Sequence, residues 1–586
     1  ISVQGVYPAE PEVLLDGARL WAFEGTGFGA LGKQDVFLDG KNKTIKQIGV
    51  SGGANGTFVR LPSGSYIKNM TFELNLSGPI EPNNVPPQMN YTAAADGDYF
   101  GQSVSNAGDV NGDGYPDLIV GAPYGDAAGI NAGQAYIFFG GPAMDNSSDV
   151  NLTGAAANDR FGISVSDAGD VNRDGYDDVI VGASLNDSGE DDTGRAYIFL
   201  GGPAMDSSWD MAFTGGAQDD EFGTSVSGAG DVNKDGYDDV IVGAYLNESV
   251  EFPLGSNGGA AYIFLGGATM NSTPDQTFKS PMGGDYFGYS VSSAGDANGD
   301  GYDDVIVGAY QNDSAGNYAG RAYLFFGGKT MDQKADVILP GFAANDNFGF
   351  SVSHAGDVNC DGYDDVIAGA PYNDSAGANA GRAYIYLGGP AMDGTPDVIL
   401  SGVGAADCFG YSVSNAEDVN KDGYDDVMVG AIQEYNNFKC GRAAIFYGGP
   451  KMDASPDVTF KSFFRLDRYG CSVSSAGDID GDSNNEVIIG APYSFDRGVA
   501  CLFTPGCGIL DPKITVGPKT SWNRTGYFCG ANLTDDLSNT TNDYLRTALP
   551  SGNDSYGNYF VDVPINVSAR SAGNITLFNL SIIYQY

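Results

Sequence analysis

Phe161 to Ala183 reads FGISVSDAGDVNRDGYDDVIVGA, and the nine residues from Asp170 to Asp178 at its centre decide the fold. Asp170, Asn172 and Asp174 place side-chain oxygens at alternate positions, Tyr176 can offer its backbone carbonyl, and Asp178 can close the set with one or two carboxylate oxygens. Hard oxygen donors at that density suit calcium, whereas magnesium keeps more of its water and zinc prefers His or Cys. Gly175 follows the third donor, where a chain turning around an ion reaches a positive φ that only glycine adopts cheaply. A single such stretch is equally readable as a polar turn, since Asp, Asn and Gly dominate turns.

Repetition favours the ion. Seven copies start at Asp109, Asp170, Asp231, Asp296, Asp357, Asp418 and Asp478, at intervals of 61, 61, 65, 61, 61 and 60 residues. A period this regular marks one structural unit copied around a repeat architecture. The candidate ligands are Asp109, Asn111, Asp113, Tyr115 and Asp117 in the first copy, then Asp170, Asn172, Asp174, Tyr176 and Asp178. They continue as Asp231, Asn233, Asp235, Tyr237 and Asp239, and as Asp296, Asn298, Asp300, Tyr302 and Asp304. Next come Asp357, Asn359, Asp361, Tyr363 and Asp365, and Asp418, Asn420, Asp422, Tyr424 and Asp426. The seventh copy, Asp478, Asp480, Asp482, Asn484 and Glu486, departs most, with Ser483 in the glycine position and Glu486 in place of Asp. Up to seven calcium ions are therefore expected.

Each loop has the same neighbours: FGxSVSxAG before it, an apolar run ending in Gly-Ala after it, then a stretch such as Ala196–Gly202 (AYIFLGG) and a short run such as Asp149–Thr153 (DVNLT). Four β-branched or aromatic stretches bounded by Gly, Pro, Asn and Asp, repeated about every 60 residues, give the all-β signature of a propeller blade. Phe100-Gly101 with Gly121-Ala122-Pro123, Phe348-Gly349 with Gly369-Ala370-Pro371, and Tyr469-Gly470 with Gly490-Ala491-Pro492 resemble the FG-GAP repeats of integrin α-subunit propellers, over about 420 of the 586 residues. The middle copies replace the proline by Ser184, Tyr245, Tyr310 or Ile432. The resemblance implies a seven-bladed propeller with calcium between the first and second strands of each blade. It does not extend to integrin leg domains, a transmembrane helix or an inserted adhesion domain, and similar repeats occur in secreted microbial surface proteins.

The propeller is expected over residues 87–507, with Gln88–Thr92 serving as the outer strand of the seventh blade beside Val499–Phe503 and removing an exposed edge. Both flanks, 1–86 and 508–586, alternate apolar and polar residues, as in Tyr66–Leu76 and Tyr559–Val567. They are expected to form one discontinuous β-sandwich, with two small separate domains as the competing arrangement.

The formal net charge of −46 excludes nucleic acid as a partner by repulsion from phosphate. Nineteen sequons point to a secreted or cell-surface glycoprotein: Asn42, Asn55, Asn69, Asn75, Asn90, Asn146, Asn151, Asn186, Asn247, Asn271, Asn312, Asn373, Asn523, Asn532, Asn539, Asn553, Asn566, Asn574 and Asn579. Four of them, Asn186, Asn247, Asn312 and Asn373, each fall sixteen residues after the first Asp of a calcium loop. Glycans there would shield the face opposite those loops. All seven cysteines lie in the second half, and an odd number leaves at least one outside an intrachain disulfide. No run of eighteen apolar residues exists to insert in a membrane. The chain starts at Ile1 without a leader pattern, as a mature or trimmed form would.

Catalytic signatures are not found. His354 is the only histidine and occupies a variable slot before Ala-Gly-Asp, as a strand-end residue would. The paired acids Asp177 and Asp178 recur between blades, which favours a structural role over acid–base catalysis. Three functions follow in order: a non-enzymatic calcium-binding adhesion or interaction module meeting protein or glycan partners at the cell surface, or further copies of itself; a subunit of an extracellular filament or surface layer assembling through its terminal strands; and a propeller-scaffold lectin or hydrolase.

Overall fold

The computed structural model describes residues 88–505, apart from 93–94, 189, 249–256, 281, 433–440, 463–466 and 495–496, together with the backbone of several strands in the flanks. Two compact units result, Pro86–Gly506 and the combination of Ile1–Val85 with Cys507–Tyr586.

The first unit is a seven-bladed propeller of four-stranded antiparallel sheets. Blade one consists of Ser103–Gly108, Asp117–Ala122, Gln134–Phe138 and Val150–Thr153, and blade two of Phe161–Gly169, Asp178–Ala183, Arg195–Phe199 and Met211–Thr214. The second strand is buried at every residue, as in Asp178–Ala183, because it is sandwiched between adjacent sheets. The outer strand alternates buried and exposed, as in Val150–Thr153. Ring closure follows the expectation from sequence: Met89–Thr92 is the outer strand of blade seven, with Val499 opposite Thr92 and Leu502 opposite Met89.

The FG and GA dipeptides are where neighbouring blades touch. A Cβ on Gly182 would stand 1.9 Å from the carbonyl oxygen of Gly223 in the next blade, and Gly490 stands in the same relation to Gly101 across the closure, at 2.1 Å. No side chain fits between sheets at that spacing. Phe161, Phe222, Phe287, Phe348 and Phe409, each at most 1 % exposed, fill the interblade core beside these contacts.

In the second unit, strands from both flanks share two sheets. Gly56–Pro62 pairs with Arg19–Phe23 on one side and Tyr559–Ser568 on the other. Tyr66–Phe72 pairs with Leu580–Gln585. The side chains that would pack one sheet on the other lie outside the described residues. Among those described, no helix is long and apolar enough to cross a membrane.

Candidate metal centre

Antiparallel strands alternate direction, so the turns joining first to second and third to fourth strands gather on one face of the ring. The second-to-third loops and the links between blades gather on the other. All seven acidic loops therefore share one face.

Each loop folds around its first acid. In blade one, Asp109 Oδ1 accepts the N–H groups of Gly112 (2.8 Å) and Asp113 (3.0 Å), and Oδ2 accepts that of Gly114 (2.8 Å). Asp113 Oδ1 accepts the N–H of Tyr115 at 3.1 Å. The ninth residue, Asp117, is fully buried and accepts from Val110 (3.0 Å) and Gly140 (2.8 Å). Gly175, Gly236, Gly362 and Gly423 take φ values of 92°, 90°, 89° and 91°, as the sixth position requires. Ser483 accepts the same left-handed conformation at φ 69°.

Burial pushes the ninth-position acids far up. Asp117, Asp178 and Asp365 are raised to about 7, and Asp239, Asp304, Asp426 and Glu486 to about 8. Desolvation is the largest cause, repulsion from other acids of the same loop adds to it, and hydrogen bonds oppose it.

The residues fit a hard divalent cation on three grounds. Every side-chain donor in the set is an oxygen. The buried Oδ1 atoms of Asn172, Asn233 and Asn359, all at the third position, have no hydrogen-bond partner, and neither has Glu486 Oε1. A buried unpartnered acceptor is costly unless a cation or water meets it. Finally, Asp478, Asp480 and Glu486 bring carboxylate oxygens within 4.8 Å of one another. The loop whose sequence departs most thus gathers its acids closely, because Asp480 stands where the other copies have Asn.

The eighth residue does something the sequence reading missed. Asp177, there grouped with the metal loop, turns away from its own loop and its Oδ2 accepts the N–H of Asp109 in the preceding blade at 2.7 Å. Asp238, Asp303, Asp364 and Asp425 do the same to Asp170, Asp231, Asp296 and Asp357, at 2.8–3.0 Å. Each of these acids packs on a glycine; a Cβ on Gly169 would lie 2.5 Å from Asp238 Oδ2. Pro116 and Asn485 hold the eighth position in blades one and seven. Opposite Asn485 the glycine is replaced by Glu417, at φ 58°, which accepts a 2.5 Å hydrogen bond from Ser475 of blade seven. His354 lies 3.5 Å from Asp364 Oδ1 and holds that carboxyl below its usual range.

The four periodic sequons lie buried in the structure. Asn186, Asn247, Asn312 and Asn373 are at most 7 % exposed. Their Nδ2 atoms donate to Asp159 (2.7 Å), Asp220 (3.0 Å), Asp285 (2.8 Å) and Asp346 (2.6 Å), each 27 residues earlier. They are latches between a blade link and the loop after it, with their amide nitrogens turned inward and engaged. In blade six the latch is an ion pair, Arg442 with Asp407 at 2.6 Å. Among the other sequons Asn90, Asn146, Asn151 and Asn271 are exposed. The side chains of Asn42, Asn55, Asn69, Asn75, Asn523, Asn532, Asn539, Asn553, Asn566, Asn574 and Asn579 lie outside the described residues. Of the cysteines described, Cys408, Cys471 and Cys501 are buried and Cys360 is exposed.

The opposite face carries aromatic and apolar side chains. Tyr289 stacks edge-on with Tyr310 (4.5 Å between ring centroids) and Tyr245 (5.3 Å), and Phe350 joins Tyr289 to Tyr411 at 5.1 and 5.0 Å. On the loops and blade links of the same face Ile130, Met282, Tyr318, Phe342 and Val403 stand 45–71 % exposed. Sequence reasoning assigned the aromatic residues to blade cores; these lie at strand ends, a placement that only the register reveals.

Six segments, 100–138, 161–199, 222–264, 287–325, 348–386 and 409–443, match the FG-GAP repeat family. With the seventh blade closed as described, residues 86–506 are an integrin-α-like FG-GAP β-propeller. The chain is 35 % identical over 241 residues to integrin alpha-5 of Xenopus laevis, covering 39 % of this chain and 21 % of that protein. To integrin alpha-IIb of Mus musculus it is 40 % identical over 159 residues, 25 % of this chain and 15 % of the relative. Integrin alpha-PS2 of Drosophila melanogaster is 34 % identical over 233 residues, 37 % and 16 % of the two chains. The chain thus spans 15–21 % of the length of these relatives. Among solved structures, the neuraminidase-like protein from A/bat/Guatemala covers 76 % of this chain and 95 % of its own at 11 % identity and a TM-score of 0.31.

Proposed function

We propose that the protein is a calcium-stabilised, extracellular interaction module, a glycoprotein used in adhesion, whose two faces divide the work. On one face calcium is held by the first, third and fifth side chains, the seventh carbonyl and the ninth carboxylate of each loop. The ion supplies charge that offsets acids the fold otherwise holds in mutual repulsion, which stabilises the ring by linkage. The other face meets the partner, a protein or glycan at the cell surface or another copy of this chain. The observation that carries this reading is the exposed apolar set Ile130, Met282, Tyr318, Phe342 and Val403 on the loops and blade links of the face opposite the acidic loops. Nothing specific favours the filament reading, since the terminal strand Leu580–Gln585 pairs within the chain.

Beads coated with the protein, shaken with cells of the source organism in calcium, test it. Adhesion above albumin-coated beads is expected, lost in the folded double variant Phe342→Asp/Val403→Asp and on removing calcium. Adhesion indifferent to both would refute the proposal.

A further inference from the structure

The sequons among the described residues differ in what their amide nitrogens are doing. N-linked modification requires Nδ2 to attack C1 of a saccharide carried on a lipid pyrophosphate. The C1–O bond breaks, the C1–N bond forms, the pyrophosphate leaves with the electron pair, and one Nδ2 proton is lost to base. An acceptor must therefore have an Nδ2 that can be reached, with room beside it for a sugar ring.

Asn312 has neither. It is fully buried, with Nδ2 donating to Asp285 Oδ2 at 2.8 Å and lying 3.4 Å from the Tyr323 hydroxyl, so both protons have acceptors. Asn186 repeats this with Asp159 (2.7 Å) and the Tyr197 hydroxyl (3.4 Å). The Oδ1 atoms are engaged too: those of Asn186, Asn312 and Asn373 accept the N–H of Ser188, Ser314 and Ser375, each at 3.0 Å. The serine that completes each of these sequons is the residue whose backbone closes an Asx turn. The tripeptide follows from the turn. Were a sugar added before folding, the latch could not close around it.

Asn90, Asn146 and Asn151 are all exposed, and they are neighbours. Asn90 lies on the closing strand of blade seven, opposite Cys501, and Asn151 on the outer strand of blade one, opposite Tyr136. Between them, Asn146 Nδ2 sits 3.5 Å from the Asn90 carbonyl oxygen, across the junction of the two blades. Asn271, also exposed, turns its Oδ1 to the N–H of Thr273 at 2.8 Å.

We infer that the propeller's N-linked carbohydrate sits on Asn90, Asn146, Asn151 and Asn271, three of them forming one patch on the outer rim where blades seven and one meet, while Asn186, Asn247, Asn312 and Asn373 are closed to modification. This rests on the glycoprotein reading above. It places carbohydrate at the closing junction and keeps it off the face proposed to meet a partner.

The full chain, secreted from a host with an N-glycosylation pathway, is digested and its glycopeptides mapped by mass spectrometry. Occupancy is expected at the rim sequons and none at the four latch positions. Thr92→Ala and Thr153→Ala should each remove one carbohydrate mass. Ser188→Ala deletes a sequon while keeping the N–H that Asn186 needs, so it should change neither mass beyond the substitution nor melting temperature; Asn186→Ala should lower the melting temperature without loss of carbohydrate. Carbohydrate at any latch asparagine of the folded protein overturns the inference, as do bare rim sequons beside occupied ones in the flanks. No carbohydrate on any sequon defeats the glycoprotein reading itself and the rim assignment with it.

Discussion

Calcium and protons should compete for the ninth acid of every loop. In the absence of metal these acids are raised to about 7 in blades one, two and five and about 8 in the other four, from ordinary values of 3.8 for Asp and 4.5 for Glu. A carboxyl moved that far disfavours its ionised form by about 4–6 kcal/mol, an upper bound that solvent screening lowers. Because the folded form holds the proton more tightly than the unfolded chain, metal-free protein is most stable when these acids are protonated. It loses stability as pH rises from about 4 through 8. Bound calcium replaces the proton and removes that loss. The calcium-dependent rise in melting temperature should therefore be large at pH 8 and small at pH 5.

The proton count can be worked out. At pH 7, acids with a pKa near 7 are half protonated and those near 8 about nine-tenths, so filling seven loops should release on the order of five protons. At pH 9 the release should fall below about one. Titration calorimetry of desalted protein with calcium chloride, in two buffers of different ionisation enthalpy, reads this number directly. Metal-free protein is used in place of a chelator, whose own affinity depends on pH. Zero release at pH 7, or a calcium stabilisation equal at pH 5 and pH 8, would refute the reasoning.

Asp238→Ala removes the 2.9 Å bond to the Asp170 N–H; it should cost about 1–3 kcal/mol in denaturant unfolding, and Asp177→Ala a similar amount. Arg442→Met strands Asp407, which is fully buried beside it, and should destabilise by about 3–5 kcal/mol, whereas replacing both by apolar residues should cost much less. Asp480→Asn gives the seventh loop the carboxylate count of the other six; terbium luminescence titration should show its affinity fall, since charge count tunes such sites.

The seven loops and the four-stranded period were legible because each copy repeats both its ligand spacing and its flanking apolar runs, and one set of physical demands written seven times leaves little room for another fold. Closure was legible from one detail, the surplus outer strand at Gln88–Thr92 matched to a blade without one. What the sequence hid depends on which neighbour a side chain faces. Asp177 and Asp178 are adjacent in sequence and identical in type, yet Asp178, the first residue of its strand, accepts from Val171 of its own loop while Asp177, just before the strand, accepts from Asp109 of the preceding blade. The latch asparagines were ambiguous in the sequence for a related reason: an Asx turn and a sequon share a tripeptide. The signal available was Asp recurring 27 residues before each asparagine.

The way the ring is fastened also sets how it responds to load. Met89 lies opposite Leu502, and the Gln88 N–H bonds to the Leu502 carbonyl oxygen at 2.8 Å, so the chain enters and leaves the propeller at the same end of one antiparallel pair. Tension carried along the backbone from the two flanks would meet the hydrogen bonds of this pair in succession, as a zipper does, rather than all together in shear. Within the propeller, the seventh blade is thus the one whose closing pair such a load would open strand by strand.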